Sequence, residues 1–166
     1  MHALMLASTA AEAEALASVW RTAAAGSVDP AVLPPGPAAP TTPGVFVPLA
    51  ALGLTTAHAT DPAEVRLREL TGLADVVVVH LAALDGAGLH EGALPLVTRV
   101  AAERATPVVV MAERSEVSRR EWSAGGVSGV HEVGPAGAAR DEAVRRVART
   151  WAPRWSQTVP TERRDA

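Results

Sequence analysis

Two unbroken apolar runs constrain this chain more than anything else in it. Asp75-Val76-Val77-Val78-Val79-His80-Leu81 and Pro107-Val108-Val109-Val110-Met111-Ala112 are short, β-branched and free of polar alternation. That is the pattern of strands covered on both faces, as in a parallel sheet. Between them, Leu94 to Arg104 carries Leu96, Val97, Val100 and Ala101 at helical spacing. Strand, helix and strand in that order imply a βαβ unit with a right-handed crossover.

The alternation continues in both directions. Ala3 to Ala7 reads as a buried first strand, and Thr9 with Glu12 forms a candidate capping box. The helix that follows has Leu16, Val19, Trp20 and Ala23 on one stripe, with Gly26 just past its end. Asp61-Pro62-Ala63-Glu64 is a helix start with Asp as N-cap, and Ala63, Leu67 and Leu70 form its apolar stripe until Gly72. Ser115 is expected to cap a short helix holding Val117 and Trp122 and closed by Gly125-Gly126. Val127 to Val133 is a third strand, and residues 139–151 form a last helix with Val144, Val147, Ala148 and Trp151 inward.

The expected fold is a single α/β domain with a doubly wound, Rossmann-like, mostly parallel sheet. Residues 1–28 form its first βα unit and residues 45–151 the remainder. Between them, residues 29–44 include Pro30, Pro34, Pro35, Pro37, Pro40 and Pro43 and read as an extended linker. Val45 to Leu49 is an edge-strand candidate, demoted to the edge by Pro48. Residues 152–166 read as a flexible tail.

Composition narrows the chemistry. All fifteen basic residues are arginine, so no lysine is present to clamp a phosphate or form a Schiff base. There is no cysteine, which removes thiolate chemistry and fits a cytoplasmic protein. A net charge of −3 offers no attraction to nucleic acid or to an anionic membrane. No apolar run approaches the roughly 18 residues of a membrane span. With one Phe, no Tyr and four Trp, the core must be built of Val, Leu and Ala around a few indoles.

In doubly wound sheets, ligands sit beyond the carboxyl ends of the strands. That rule selects Ser8-Thr9, Ala82 to Gly92, Glu113-Arg114-Ser115 and Gly134 to Gly137. Asp85 and His90 flank a glycine-rich turn and form either an acid/base or ligand pair, or a solvated turn. Glu113, Arg114 and Ser115 are expected at a helix start, where free backbone donors and Arg114 would favour an anion. His80, inside a buried strand, reads as a satisfied core histidine. No pair of histidines has metal-ligand spacing, so no metal site is expected. Neither a Walker loop, a dinucleotide fingerprint nor a Gly-x-Ser-x-Gly elbow occurs. A phospho-acceptor receiver would need an acidic pair after the first strand and a lysine after the last, and neither is present.

Several motifs, in order, resemble the glycerate kinases. They are Leu73-Ala74-Asp75 leading into the valine strand, Asp85, Gly88-Leu89, and Gly92 through Pro95. Pro107 to Ala112, Ser118-Arg119-Arg120-Glu121-Trp122-Ser123-Ala124-Gly125-Gly126-Val127 and Val147-Ala148-Arg149-Thr150-Trp151 continue the likeness. It spans residues 73–151, with a looser match over 3–24. The resemblance implies the core domain of such a kinase with its second lobe missing. It places Asp85 at a retained acid of the active-site cleft. The family's other charges fall on Ser8-Thr9, Leu81 and Ala93, which keep none of them. The resemblance thus implies a truncated, non-catalytic binding or interaction domain with no defined cofactor. The alternative is an active hydroxyacid kinase using ATP and Mg, completed by an oligomer or a separate partner chain.

Overall fold

The computed structural model describes residues 1–36 and 61–152. Among these residues five strands form one sheet in the order β2-β1-β3-β4-β5, and every neighbouring pair is parallel. The chain runs β1 (His2–Ala7), α1 (Ala10–Ala23), β2 (Ser27–Val32), α2 (Pro62–Thr71), β3 (Val76–Leu84), α3 (Gly86–His90), α4 (Leu94–Ala102), β4 (Val108–Ser115), α5 (Arg119–Ala124), β5 (Gly129–Glu132) and α6 (Ala138–Trp151). This is the expected doubly wound, Rossmann-like α/β architecture.

Alternate residues of the inner strands feed two cores. Met5, Val78, Met111 and Val133 pack with α1 and α6, together with Leu16, Trp20, Val144 and Val147. Leu4, Leu6, Val77, Val79 and Val110 pack on the other face with Leu67, Val97 and Val100 of α2 and α4. Val76 to Val79 are completely buried. Each such side chain contributes about 1.5–3 kcal/mol relative to exposure. The valine runs therefore carry no polar alternation because neither sheet face meets water.

The structure corrects the linker. Residues 29–32 are not extended linker but part of β2, paired in register with β1, so that Met5 lies opposite Pro30. A proline is tolerated there because β2 is the sheet edge among the described residues, where the outward row of donors has no partner to lose. Gly26 makes the entry to this strand possible. Its φ of +104° suits only glycine, and an added Cβ would lie 1.8 Å from the Met1 carbonyl oxygen. The candidate strand at 45–49 and the tail from 153 onward lie outside the described residues.

Two further differences affect the candidate site. β3 runs three residues beyond Leu81, to Leu84, while Asp75 stays outside it and accepts a hydrogen bond from the His2 amide at 2.7 Å. β4 likewise continues through Glu113, Arg114 and Ser115, so these residues end a strand and do not begin a helix. Leu84 pairs with Ser115 in that extension. The short helix is capped instead by Ser118, in a complete capping box with Glu121. The Ser118 hydroxyl and backbone both hold the Glu121 carboxyl below its ordinary pKa.

Because α5 buries none of its residues fully, this cap is its principal local support. Ser118→Ala is expected to cost about 1 kcal/mol in urea unfolding. A loss below a few tenths would show that α5 does not depend on its cap.

Charges tie α2 to α4. Glu64 receives Arg99 at 2.9 Å and also pairs with Arg68, which reaches Glu103 at 3.1 Å. Arg99 first, then Arg68, lowers the Glu64 pKa. These pairs lie at the protein surface, where such contacts stabilise little.

Candidate functional site

The sheet order places a topological switch point between β1 and β3. The chain leaves β1 for β2 on one side and returns through α2 to β3 on the other. Doubly wound domains bind ligands in the crevice that opens there, at the carboxyl ends of the strands. Four charged or titratable side chains gather at that position, on the side covered by α1 and α6.

Glu12 comes from the first turn of α1. Thr9 caps this helix, its hydroxyl accepting from the Glu12 amide at 3.2 Å. The expected capping box is only half formed, because the Glu12 carboxylate does not return to the cap. It accepts instead from the Ser8 hydroxyl at 2.8 Å and lies 3.2 Å from Nδ1 of His80. His80 follows Val79 in β3, and alternation turns it toward the same face as Val78. Glu113 sits two residues beyond Met111 in β4 and therefore on that face as well.

Arg140 lies in the first turn of α6, after a loop whose Gly137 has a φ of +147° that non-glycine residues rarely adopt. Its guanidinium approaches Glu12 at 3.9 Å.

His80 is buried as expected, with only 2% of its side chain exposed, but it is not satisfied. Among the described residues its buried Nε2 has no hydrogen-bond partner, and the same holds for Nε of Arg140. Burial is the main force on the His80 pKa and pushes it down. Glu12 and Glu113 pull upward and Arg140 adds to the depression, but desolvation prevails. The imidazole is thus held neutral at pH 7.

Asp85, His90, Arg114 and Ser115 do not join this group. Asp85 is exposed and serves as N-cap of α3, accepting from the Gly88 amide at 2.7 Å. Of the two readings of the Asp85–His90 turn, this geometry is that of turn and cap. His90 is exposed at the end of α3, where its charge helps lower the Glu121 pKa. Arg114 pairs with Glu116 at 3.1 Å, both largely exposed. The Ser115 amide donates to Glu132 at 3.2 Å. The helix-start anion site expected at 113–115 is therefore absent, because β4 continues through those residues. Glu113 is the one expected site residue that joins the cluster as a charge. Ser8 and Thr9 serve it by holding Glu12 and starting α1.

Sequence reasoning overlooked Glu12 and Arg140 as site residues. One signal was available for each: a charged side chain in the first turn of a helix that follows a strand must lie at the carboxyl edge.

No helix among the described residues is long and apolar enough to cross a membrane. No family model matches the chain, and no curated protein matches it. Among solved structures, the fold is similar to that of a Burkholderia pseudomallei protein described as pilus assembly-related. The TM-score is 0.47 and the identity 19%, over 92% of each chain. A likeness at that distance carries no statement about what this chain does, and the site must be interpreted from its own residues.

Proposed function

We propose that this chain is a non-catalytic binding domain, built on a core resembling that of the glycerate kinases. The observation that carries this reading is how the charges at the sheet's carboxyl edge are paired. Phosphoryl transfer needs positive charge or metal free to meet the transferring group. Arg140 is instead turned onto Glu12, and Arg114 onto Glu116. Asp85, the acid that the kinase resemblance would retain, is engaged as a helix cap.

The strand order 2-1-3-4-5 favours a second reading within the same functional class. It is the order shared by flavodoxin and by receiver domains. On that scaffold the chain is a receiver-type interaction module without phospho-acceptor chemistry. Ser8-Thr9 follow β1 where an acidic pair would be needed, and Val133-Gly134 follow β5 where a lysine would be needed.

Both readings predict the same outcome. Incubation with labelled ATP, Mg and D-glycerate is expected to yield no labelled phosphoglycerate, and millimolar Mg-ATP is expected to leave the melting temperature unchanged. Acetyl phosphate is expected to leave the intact mass unaltered. Transfer of label to glycerate that disappears in Asp85→Ala would overturn the non-catalytic reading.

A further inference from the structure

Glu12, His80 and Glu113 come from three different elements, yet each offers a ligand atom within 4.8 Å of the other two. Two carboxylates near one another are common on protein surfaces. Here the third member is a histidine whose side chain is only 2% exposed and whose Nε2 has no partner among the described residues. A neutral imidazole has one N–H and one lone pair. If Nδ1 donates to Glu12, a buried lone pair is left unused at Nε2. If Nε2 carries the hydrogen, the Nδ1 lone pair faces a carboxylate oxygen and the Nε2 donor is stranded. Neither tautomer satisfies the ring with the residues present.

In the second tautomer a cation between the ring and Glu12 replaces that repulsive contact, because it accepts the Nδ1 lone pair while neutralising the carboxylates.

We propose that Glu12, His80 and Glu113 form a divalent metal site at the β1/β3 switch point, selective for zinc. One imidazole with two carboxylates suits a borderline ion, whereas magnesium and calcium prefer oxygen alone. Three protein ligands leave a fourth position of a tetrahedral ion open. The two carboxylates outweigh the single guanidinium of Arg140, so the cluster has negative charge to offer. Zinc drawing on Glu12 competes with Arg140, which approaches the same carboxylate at 3.9 Å. The proposal rests on reading this edge as a binding site, and metal binding can be separated experimentally from phosphotransfer.

Isothermal titration of the full chain with zinc chloride at pH 7.5 is expected to show one saturable site, with magnesium binding far more weakly. Glu113→Gln and Glu12→Gln, checked for folding by circular dichroism, are each expected to weaken zinc at least about tenfold. His2 lies beside Asp29 and forms the most obvious competing surface site. His2→Gln is therefore expected to leave the affinity unchanged. Visible absorption of the cobalt-substituted protein, lost in Glu113→Gln, would report the same ligands. Absence of saturable zinc binding, or wild-type affinity in both glutamate variants, overturns the metal site and leaves the non-catalytic reading intact. Zinc binding accompanied by phosphotransfer to glycerate would do the reverse.

Discussion

Trp20→Ala is expected to lower the unfolding free energy by about 3–5 kcal/mol, the range for removing a buried Trp or Phe. Domains of this kind hold only about 5–15 kcal/mol in total, so the variant would be marginal at best. The expectation follows from what surrounds the indole. The core under α1 and α6 contains Ala3, Ala7, Ala13, Ala17, Ala23, Ala143 and Ala148, and Trp20 is 1% exposed among them. Alanines let helices approach the sheet closely but cannot swell to fill a vacated volume. The cavity left by the indole would therefore persist, and the persistent cavity is what makes such substitutions costly. Trp20→Phe retains an aromatic ring and should cost markedly less. Urea unfolding of both variants would decide. A loss below about 1 kcal/mol in Trp20→Ala would mean that the two helices close over the gap.

The second large effect is on acid stability. His80 has a folded-state pKa below its ordinary value, because burial disfavours the charged ring. The unfolded chain therefore takes up a proton near pH 6.5 that the folded chain refuses. Below that pH the unfolded state binds more protons, so stability falls as the pH falls, and it stops falling only at the lower folded-state pKa. Within that window each pH unit costs up to about 1.4 kcal/mol, a tenfold change in the folding equilibrium.

His131 adds to the trend in the same direction. It is partly buried against Trp151, whose Nε1 donates to its Nε2 at 3.0 Å, and desolvation lowers its pKa too. The groups facing His80 are Glu12, Glu113 and Arg140, and none reverses the sign. Urea midpoints between pH 7.5 and 5 should thus decline for the wild type and decline less for His80→Gln. Equal slopes in the two proteins would show that His80 is not held neutral by the fold. Zinc at the proposed site would deepen the decline, since protons then compete with the ion for the same ring.

Much of the fold was legible in the chain. The valine runs, the N-cap at Asp61 and the stripe of Val144, Val147 and Ala148 were each read from local pattern and lie where that pattern placed them. Errors arose where tertiary pairing overrides composition. Pro30 made β2 look like linker, because nothing in sequence marks a strand as an edge that can spare a donor. Ser115 looked like a helix cap because it is a serine before a short helical stretch. The parallel pairing of Leu84 with Ser115 instead drew both strands outward by several residues.

The amino-acid sequence by itself determined the class of the fold, because hydrophobic period is a local property and burial on two faces leaves no polar residue in a strand. It also excluded thiolate and lysine chemistry by omission. Only the tertiary structure decided the site. Glu12 looked like a capping residue, His80 like a satisfied core histidine, and Arg140 like nothing in particular. They meet because strand order is reversed between β1 and β3, bringing together the first turns of α1 and α6 and the ends of two inner strands. Glu12, His80 and Glu113, separated by 33 to 101 positions, carry no mutual signature in sequence, and their chemistry exists only once the sheet has been ordered.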